Sequence, residues 1–240
     1  VSAVVVTGAA RGIGTGIATR FAEAGWHVIL ADLSPEVTAT AAAVTAATGA
    51  ATTPVVADVA SADGAAAIAA AAQRVGGLRA LVNNAGITRD AMLKKMTADA
   101  FSATVRVNLG GPIRLVDALA PLLPDGGTIV TISSKSSQGN VGQFNYATSK
   151  AGLLGWTRAL ARVHAPRLRV NAISPGFIAT EMTDAIPDEI RANILAKIPL
   201  ARPGRPSEIA DVALWLSSEE SSYVTGQVVA VCGGRTYAPA

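Results

Sequence analysis

The 240-residue chain holds a single cysteine, Cys232, so no disulfide can close within it and no multi-cysteine zinc site can be built from one chain. A reducing, cytoplasmic compartment is the simplest fit. Histidine is almost as scarce. His27 and His164 lack acidic or cysteine partners at ligand spacing, so no catalytic metal is expected and both read as structural, His164 offsetting a helix dipole. Aromatic residues make up only 4% although half the chain is hydrophobic. The apolar content is therefore Ala, Val, Leu and Ile, which suits helices packed closely on a sheet. No run reaches the roughly 18 apolar residues that argue for a membrane helix, and Val1–Thr7 is too short and uncharged for a signal peptide. A start at Val1 instead of methionine is compatible with residues being absent ahead of it. There is no cationic stripe either: Lys and Arg are scattered and the net charge is only +3, which speaks against nucleic-acid binding.

What is present has a rhythm. Short Val/Ile-rich runs (3–7, 26–31, 53–57, 80–83, 127–133, 169–173 and 227–231) alternate with Ala-rich stretches of helical periodicity (13–24, 35–47, 62–75, 98–109 continuing towards 119, 147–164 and 207–216). Strands buried on both faces and separated by helices predict an α/β, Rossmann-like doubly wound parallel sheet, helices on both faces, in a single domain spanning 1–240. Ligands in such sheets sit at the carboxyl ends of the strands. The proline-bearing segment 177–205 breaks the rhythm and is expected to be a mobile cover over a site, against the plainer reading of a surface excursion.

The first strand runs into Gly8-Ala9-Ala10-Arg11-Gly12-Ile13-Gly14 and then a helix. Glycines there let a backbone approach a pyrophosphate at the helix N-terminus. Gly12–Gly16 alone also reads as a methyltransferase nucleotide turn. Asp32, closing the second strand, is placed to accept hydrogen bonds from adenosine ribose hydroxyls and to repel a 2′-phosphate. Arg11 argues the other way, so NAD(H) is favoured and NADP(H) stays open. Asp58-Val59 lies where an adenine ring would rest, or else Asp58 caps a helix. Asn83, Asn84, Ala85 and Gly86 suit a turn that ties neighbouring strands together or contacts the cofactor.

Tyr146 and Lys150 are four apart in a helical segment, so both side chains emerge on one face. A tyrosine is a poor acid–base catalyst near neutrality, and a neighbouring ammonium is expected to bring its pKa down. Alone the pair would be a surface turn. Ser133 and Ser134, at the end of the fifth strand, give it company in the same crevice.

The glycine turn Thr7–Gly14, Asn83–Gly86, Asn108, Ser134, Tyr146-x-x-x-Lys150 and Pro175-Gly176 together resemble the short-chain dehydrogenase/reductase family across nearly the whole chain. The stretches 83–90, 142–146 and 175–183 are similar to the 3-oxoacyl-acyl-carrier-protein reductases of fatty-acid synthesis. The resemblance implies that Tyr146 protonates a carbonyl, Lys150 tunes Tyr146 and binds the nicotinamide ribose, Ser134 orients substrate, and Asn108 holds a water linking Lys150 to solvent. It also implies cofactor contacts from Pro175, Gly176, Ile178 and Thr180, seven strands, and a homotetramer built through long helices and the last strand. The substrate implied is a carrier-bound or coenzyme A acyl thioester; the alternatives are a free alcohol, ketone or sugar, and, more remotely, a methyltransferase or a non-catalytic dinucleotide binder. Two departures bear on this. The loop before Tyr146 is one residue shorter than in close relatives, so Ser133 competes with Ser134. A basic carrier-docking position is occupied by Asp125, while Arg167 matches a second one.

Overall fold

The computed structural model describes residues 1–184 and 186–236. Residue 185, within the expected cover, and 237–240, within the expected domain, lie outside the described residues. Seven strands, β1 (Ala3–Thr7), β2 (His27–Asp32), β3 (Thr52–Val56), β4 (Leu78–Asn83), β5 (Gly127–Ile132), β6 (Leu168–Pro175) and β7 (Val228–Val231), form one parallel sheet in the order β3-β2-β1-β4-β5-β6-β7. The order reverses at β1, between β2 and β4. That switch point is where a parallel sheet opens a crevice at its strand ends.

The strands sort their side chains by parity. Val4, Val6, Val28 and Leu30 face one layer of helices, α1 (Gly12–Glu23), α2 (Val37–Thr48) and α9 (Pro206–Leu216); Ile17, Phe21, Ile209 and Leu216 complete that core. Val5, Ile29, Leu81 and Ile129 face the other, built on α3 (Ala62–Val75), α4 (Ala98–Val105), α5 (Gly111–Leu119) and α6 (Phe144–His164), with Ile68, Leu115 and Leu119. Burial on both faces explains why the central strands read as unbroken apolar runs instead of alternating ones.

The helix ends follow local chemistry. Ser61 caps α3 by accepting the Gly64 N–H, and Thr97 caps α4 by accepting the Ala100 N–H. Ser61, not Asp58, is therefore the cap of α3; Asp58 instead accepts the Ala60 N–H in a local turn. The helix expected to run from 98 towards 119 is interrupted by a π turn over Arg106–Gly110. Pro112 has no N–H to give to the carbonyl four residues back, that of Asn108, so ordinary α geometry cannot be kept there.

The segment 177–205 carries two short helices, α7 (Glu181–Asp184) and α8 (Asp188–Leu195), and α8 buries none of its residues. Its two ends are clasped: Gly204 donates to the Phe177 carbonyl at 2.9 Å and Ala179 donates to the Gly204 carbonyl at 2.8 Å. The excursion thus leaves and re-enters the body at one point.

Candidate active site

At the end of β1 the turn is shaped by its own packing. Gly8 has φ +64°, and a Cβ there would lie 2.8 Å from the Ala85 Cα. A Cβ on Gly14 would lie 1.9 Å from the Gly8 carbonyl oxygen. Glycine is therefore required at both positions before any ligand is considered. The tip of β4 is tied to the same turn: Asn84 donates to the carbonyls of Thr7 and Gly8, and the Thr7 hydroxyl accepts the N–H groups of Asn84 and Ala85. Ala85 is half-buried beside this junction, and Gly86 is open to solvent.

The N-terminus of α1 fits an anion. Arg11 occupies the cap position without a side-chain cap bond, and no carboxylate stands in the first turn, so no side chain takes up the backbone N–H groups from Gly12 through Gly14. Asp32 reaches this turn, accepting the Ala10 N–H at 3.0 Å and the Ser34 N–H at 2.9 Å. Each oxygen takes one bond and keeps a further lone pair. Thr180, at the base of the excursion, lies over Gly12, with its Cγ2 3.5 Å from where a Gly12 Cβ would be. A cleft of about 460 Å³ lined by Arg11, Gly12, Thr15, Thr19, Glu181 and Ser207 opens on the outer side of the turn. It is lined by the glycine turn and does not include Ser134, Tyr146 or Lys150.

The remaining cofactor-side residues are spread along the strand ends. Val59 is buried against the start of α5, where a Cβ on Gly111 would meet its Cγ2 at 2.9 Å, while Asp58 is exposed. Pro175 ends β6, and Gly176 continues the pairing by donating to the Val231 carbonyl at 2.9 Å. A Cβ on Gly176 would lie 2.6 Å from the Cys232 Cα, so this Pro-Gly pair marks close backbone approach and not a plain turn. Ile178 is buried in the core of the α1/α9 layer.

The catalytic candidates converge on the ends of β4 and β5. Ser133 is buried and turned inward, its hydroxyl donating to the Lys150 carbonyl at 2.9 Å. Ser134 is half-buried beside Tyr146, and its hydroxyl draws the pKa of Tyr146 down. Lys150 is 3% exposed; its Nζ donates to the Ile132 carbonyl at 2.8 Å and stands 5.6 Å from the centre of the Tyr146 ring. Asn108, fully buried on the π turn, spends its side chain on structure: Oδ1 accepts the Ile87 N–H, and Nδ2 donates to the Ile87 carbonyl and the Ser149 hydroxyl. Its backbone carbonyl has no α-helical donor at Pro112.

One expectation is corrected. The pKa of Tyr146 is raised, not lowered: burial of the phenolate is the main cause, the Ser134 hydrogen bond works against it, and the charge of Asp90 adds to the rise. Lys150 is not the group that brings it down, because its ammonium is directed at the Ile132 carbonyl. Burial instead lowers Lys150 itself to about 8.

Other expected positions are placed elsewhere. Arg167 gives its guanidinium to the carbonyls of Leu123 and Ala120, at 2.7 and 3.0 Å, which ties down the end of α5. His27 bonds the Thr53 hydroxyl between β2 and β3, and its pKa is lowered by burial. Among the described residues no cluster of three potential metal ligands occurs.

Sequence reasoning passed over Asn145. It is fully buried; its amide donates to the Arg89 carbonyl and the Thr104 hydroxyl, and its Oδ1 accepts the Tyr146 N–H. A polar residue next to Tyr146 on the inward face of a helix was the available signal.

A family profile described as enoyl-(acyl carrier protein) reductase matches residues 8–236. The 3-oxoacyl-[acyl-carrier-protein] reductase FabG of Thermotoga maritima is 42% identical over 235 residues, 96% of each chain. The chain belongs to the short-chain dehydrogenase/reductase family. Solved members agree in shape. A short-chain dehydrogenase/reductase titled glucose/ribitol dehydrogenase from Brucella melitensis superposes with a TM-score of 0.91 at 35% identity, covering 98% of this chain and 96% of its own. A 3-oxoacyl-[acyl-carrier protein] reductase from the same species gives 0.90 at 36%, covering 97% and 90%. This short-chain dehydrogenase/reductase is an oxidoreductase that uses a nicotinamide cofactor. No helix among its described residues is long and apolar enough to cross a membrane.

Proposed function

We propose that the protein reduces a 3-oxoacyl thioester to the 3-hydroxyacyl thioester, with Tyr146 as the proton donor. The observation that carries this reading is the convergence of three groups: the Nζ of buried Lys150 stands 5.6 Å from the centre of the Tyr146 ring, and the Ser134 hydroxyl beside Tyr146 lowers its pKa. The bound reduced nicotinamide supplies the hydride. Tyr146, whose proton affinity is raised, gives its proton to the substrate oxygen, and Ser134 steadies that oxygen with its own O–H. Lys150, with its pKa near 8, returns a proton to Tyr146 and holds the nicotinamide ribose. Asn108 holds a water that connects Lys150 to solvent.

The residues assigned to the cofactor follow the crevice. Gly8, Arg11, Gly12, Ile13 and Gly14 take the pyrophosphate; Asp32 takes the adenosine ribose; Asp58 and Val59 flank the adenine. Asn84, Ala85 and Gly86 line the middle, and Pro175, Gly176, Ile178 and Thr180 hold the carboxamide beneath the 177–205 cover. Asp32 supports NAD(H) over NADP(H), because a 2′-phosphate would meet a carboxylate in a poorly screened site. Asp125 and the committed guanidinium of Arg167 support a coenzyme A thioester over an acidic carrier protein. The exposed Ile113 and Val163, on α5 and α6, support pairing of subunits through these helices into a homotetramer.

Steady-state oxidation of NADH and NADPH with acetoacetyl-coenzyme A, with the acetoacetyl carrier protein, and reduction of NAD with simple secondary alcohols and sugars, tests the reading. Thioester turnover that exceeds alcohol turnover by tenfold or more is expected. Alcohol or sugar oxidation with no thioester turnover would refute it and favour the activity named for the Brucella glucose/ribitol dehydrogenase.

A further inference from the structure

Two polar residues at the mouth of the site have no part in the roles above. Asp90 lies in the loop after β4, and Gln143 stands at the N-cap of α6, with its side chain making no cap bond. Backbone pairing brings the two segments together, as Ala91 donates to the Gly142 carbonyl at 2.9 Å. From there a chain of hydrogen bonds runs inward. Gln143 Nε2 donates to Asp90 Oδ2 at 2.8 Å. Gln143 Oε1 accepts the Ser136 hydroxyl at 3.0 Å and the Asn140 amide at 2.8 Å. The Ser136 N–H donates to Ser134 Oγ at 3.1 Å, and the Ser134 hydroxyl stands beside Tyr146, whose pKa it lowers.

The outer end fixes the direction of the bonds through Gln143, and the backbone N–H of Ser136 can only donate. A carboxylate only accepts, so Gln143 must present its NH₂ to Asp90 and its oxygen to Ser136 and Asn140. Ser136 is then committed to donate its hydroxyl outward and its N–H to Ser134. Ser134 Oγ, with one lone pair occupied, keeps its O–H for Tyr146 or for a substrate oxygen beside it. Replace the carboxylate by a group that can also donate, and the Gln143 amide can turn over, so the turn 135–138 loses its anchor.

We propose that Asp90 and Gln143 are positioning residues that hold the turn after β5 and so aim the Ser134 hydroxyl at the reacting oxygen. The inference rests on the reading of Tyr146 and Ser134 given above. It has an electrostatic side as well: Asp90 stabilises the protonated phenol, in keeping with a Tyr146 that acts as acid. Lys150, on the same helix, stands 5.6 Å from the ring centre, and Lys135 lies in the turn 135–138.

The test is a double-mutant cycle with Asp90→Asn and Gln143→Leu, assayed with acetoacetyl-coenzyme A and the preferred nicotinamide, with Tyr146→Phe measured alongside. Both substituted side chains are at least partly exposed, so thermal midpoints within a few degrees of the parent are expected. Each single variant should lose about tenfold or more in kcat with the cofactor KM unchanged, and the double variant should be no worse than the poorer single one. Asp90→Asn should also move the pH limb of alcohol oxidation, which needs the phenolate, to lower pH; Asp90→Glu should restore most of the rate. Additive losses, an unmoved pH limb, or a change confined to cofactor KM would overturn the proposal. If Tyr146→Phe keeps its turnover, the reading of the site itself fails. If Tyr146→Phe is inactive and the Asp90 and Gln143 variants behave as the parent, only the positioning role falls.

Discussion

Ser133 and Ser134 are adjacent, equally small and equally polar, yet the structure gives them opposite surroundings, and a pair of alanine substitutions separates them. Ser134→Ala removes the hydroxyl beside Tyr146. Loss of one donor aimed at a developing oxyanion costs about 10²–10³-fold in kcat. The same hydroxyl lowers the pKa of Tyr146, so without it the phenol holds its proton more tightly still. Residual carbonyl reduction by Ser134→Ala should therefore persist to higher pH than in the parent, and alcohol oxidation should need more alkaline conditions. Ser133→Ala removes a buried bond to the Lys150 carbonyl. That is a loss of about 1 kcal/mol of stability, or roughly 2–4 °C in Tm for a chain of this size, with kcat within about twofold of the parent given that no transition-state contact is removed. Reduction of acetoacetyl-coenzyme A followed at the nicotinamide absorbance, across pH 6 to 10, reads the first set; thermal denaturation reads the second. A Ser133→Ala enzyme that loses its activity while Ser134→Ala retains it would refute the assignment.

Three further outcomes follow from the same geometry. Lys150 has a folded-state pKa of about 8 against 10.5 for the ordinary side chain. Between those values the unfolded chain binds more protons, so this group makes the folded protein more stable as pH rises from 8 to 10.5 and loses that contribution as pH falls back through 8. Denaturant unfolding of the ligand-free protein should show the rise, and Lys150→Met should flatten it; an equal slope in both would contradict the burial argument. Gly14→Ala places a Cβ 1.9 Å from the Gly8 carbonyl, so the turn must open, with a stability loss of about 1–3 kcal/mol or more and loss of nicotinamide binding by fluorescence titration. Normal cofactor affinity would show that the turn is not the pyrophosphate site. Asp32→Asn removes the charge and keeps one acceptor oxygen, so one of the Ala10 and Ser34 N–H bonds is given up with it. The ratio of kcat/KM for NADPH over NADH should rise about tenfold or more, since tenfold is about 1.4 kcal/mol and one like-charge contact in a poorly screened site is worth at least that; an unchanged ratio would shift the discrimination to Arg11.

Much of the fold is legible because its strands are covered on both sides. Val4-Val5-Val6 reads as a strand and is one, and the alternation with Ala-rich helices fixes a parallel sheet without reference to any contact. The interruption at Arg106–Gly110 was not legible from periodicity, since Ala98 to Leu119 keeps its apolar repeat through the π turn. Pro112 was the available clue, because it withdraws one donor from a helix that composition alone would continue. Asp58 misled in the opposite sense, as an acidic residue ahead of a helix that Ser61 caps. The site shows the same division. The spacing of Tyr146 and Lys150 is a property of one helix and can be read from the chain, whereas Asp90 and Gln143 meet only because Ala91 pairs with Gly142 across more than fifty residues of sequence.

The proton chemistry is the part that sequence spacing describes least well, because burial acts on both members of the pair at once. A lysine one turn from a tyrosine suggests that the cation draws the phenol's pKa down. In the folded chain the ammonium is itself desolvated and directed at the Ile132 carbonyl, so its own pKa falls to about 8 while that of Tyr146 rises. The order of acidity is then Lys150 before Tyr146. Once Tyr146 has given its proton to a substrate oxygen, transfer from Lys150 back to the phenolate runs downhill, and the deficit passes to whatever connects Lys150 to solvent. Asn108 stands beside it, since a Cβ on Gly86 would lie 3.2 Å from Asn108 Oδ1 and 3.4 Å from Lys150 Nζ. A buried cation, unfavourable alone, would in the proposed reaction make the acid renewable.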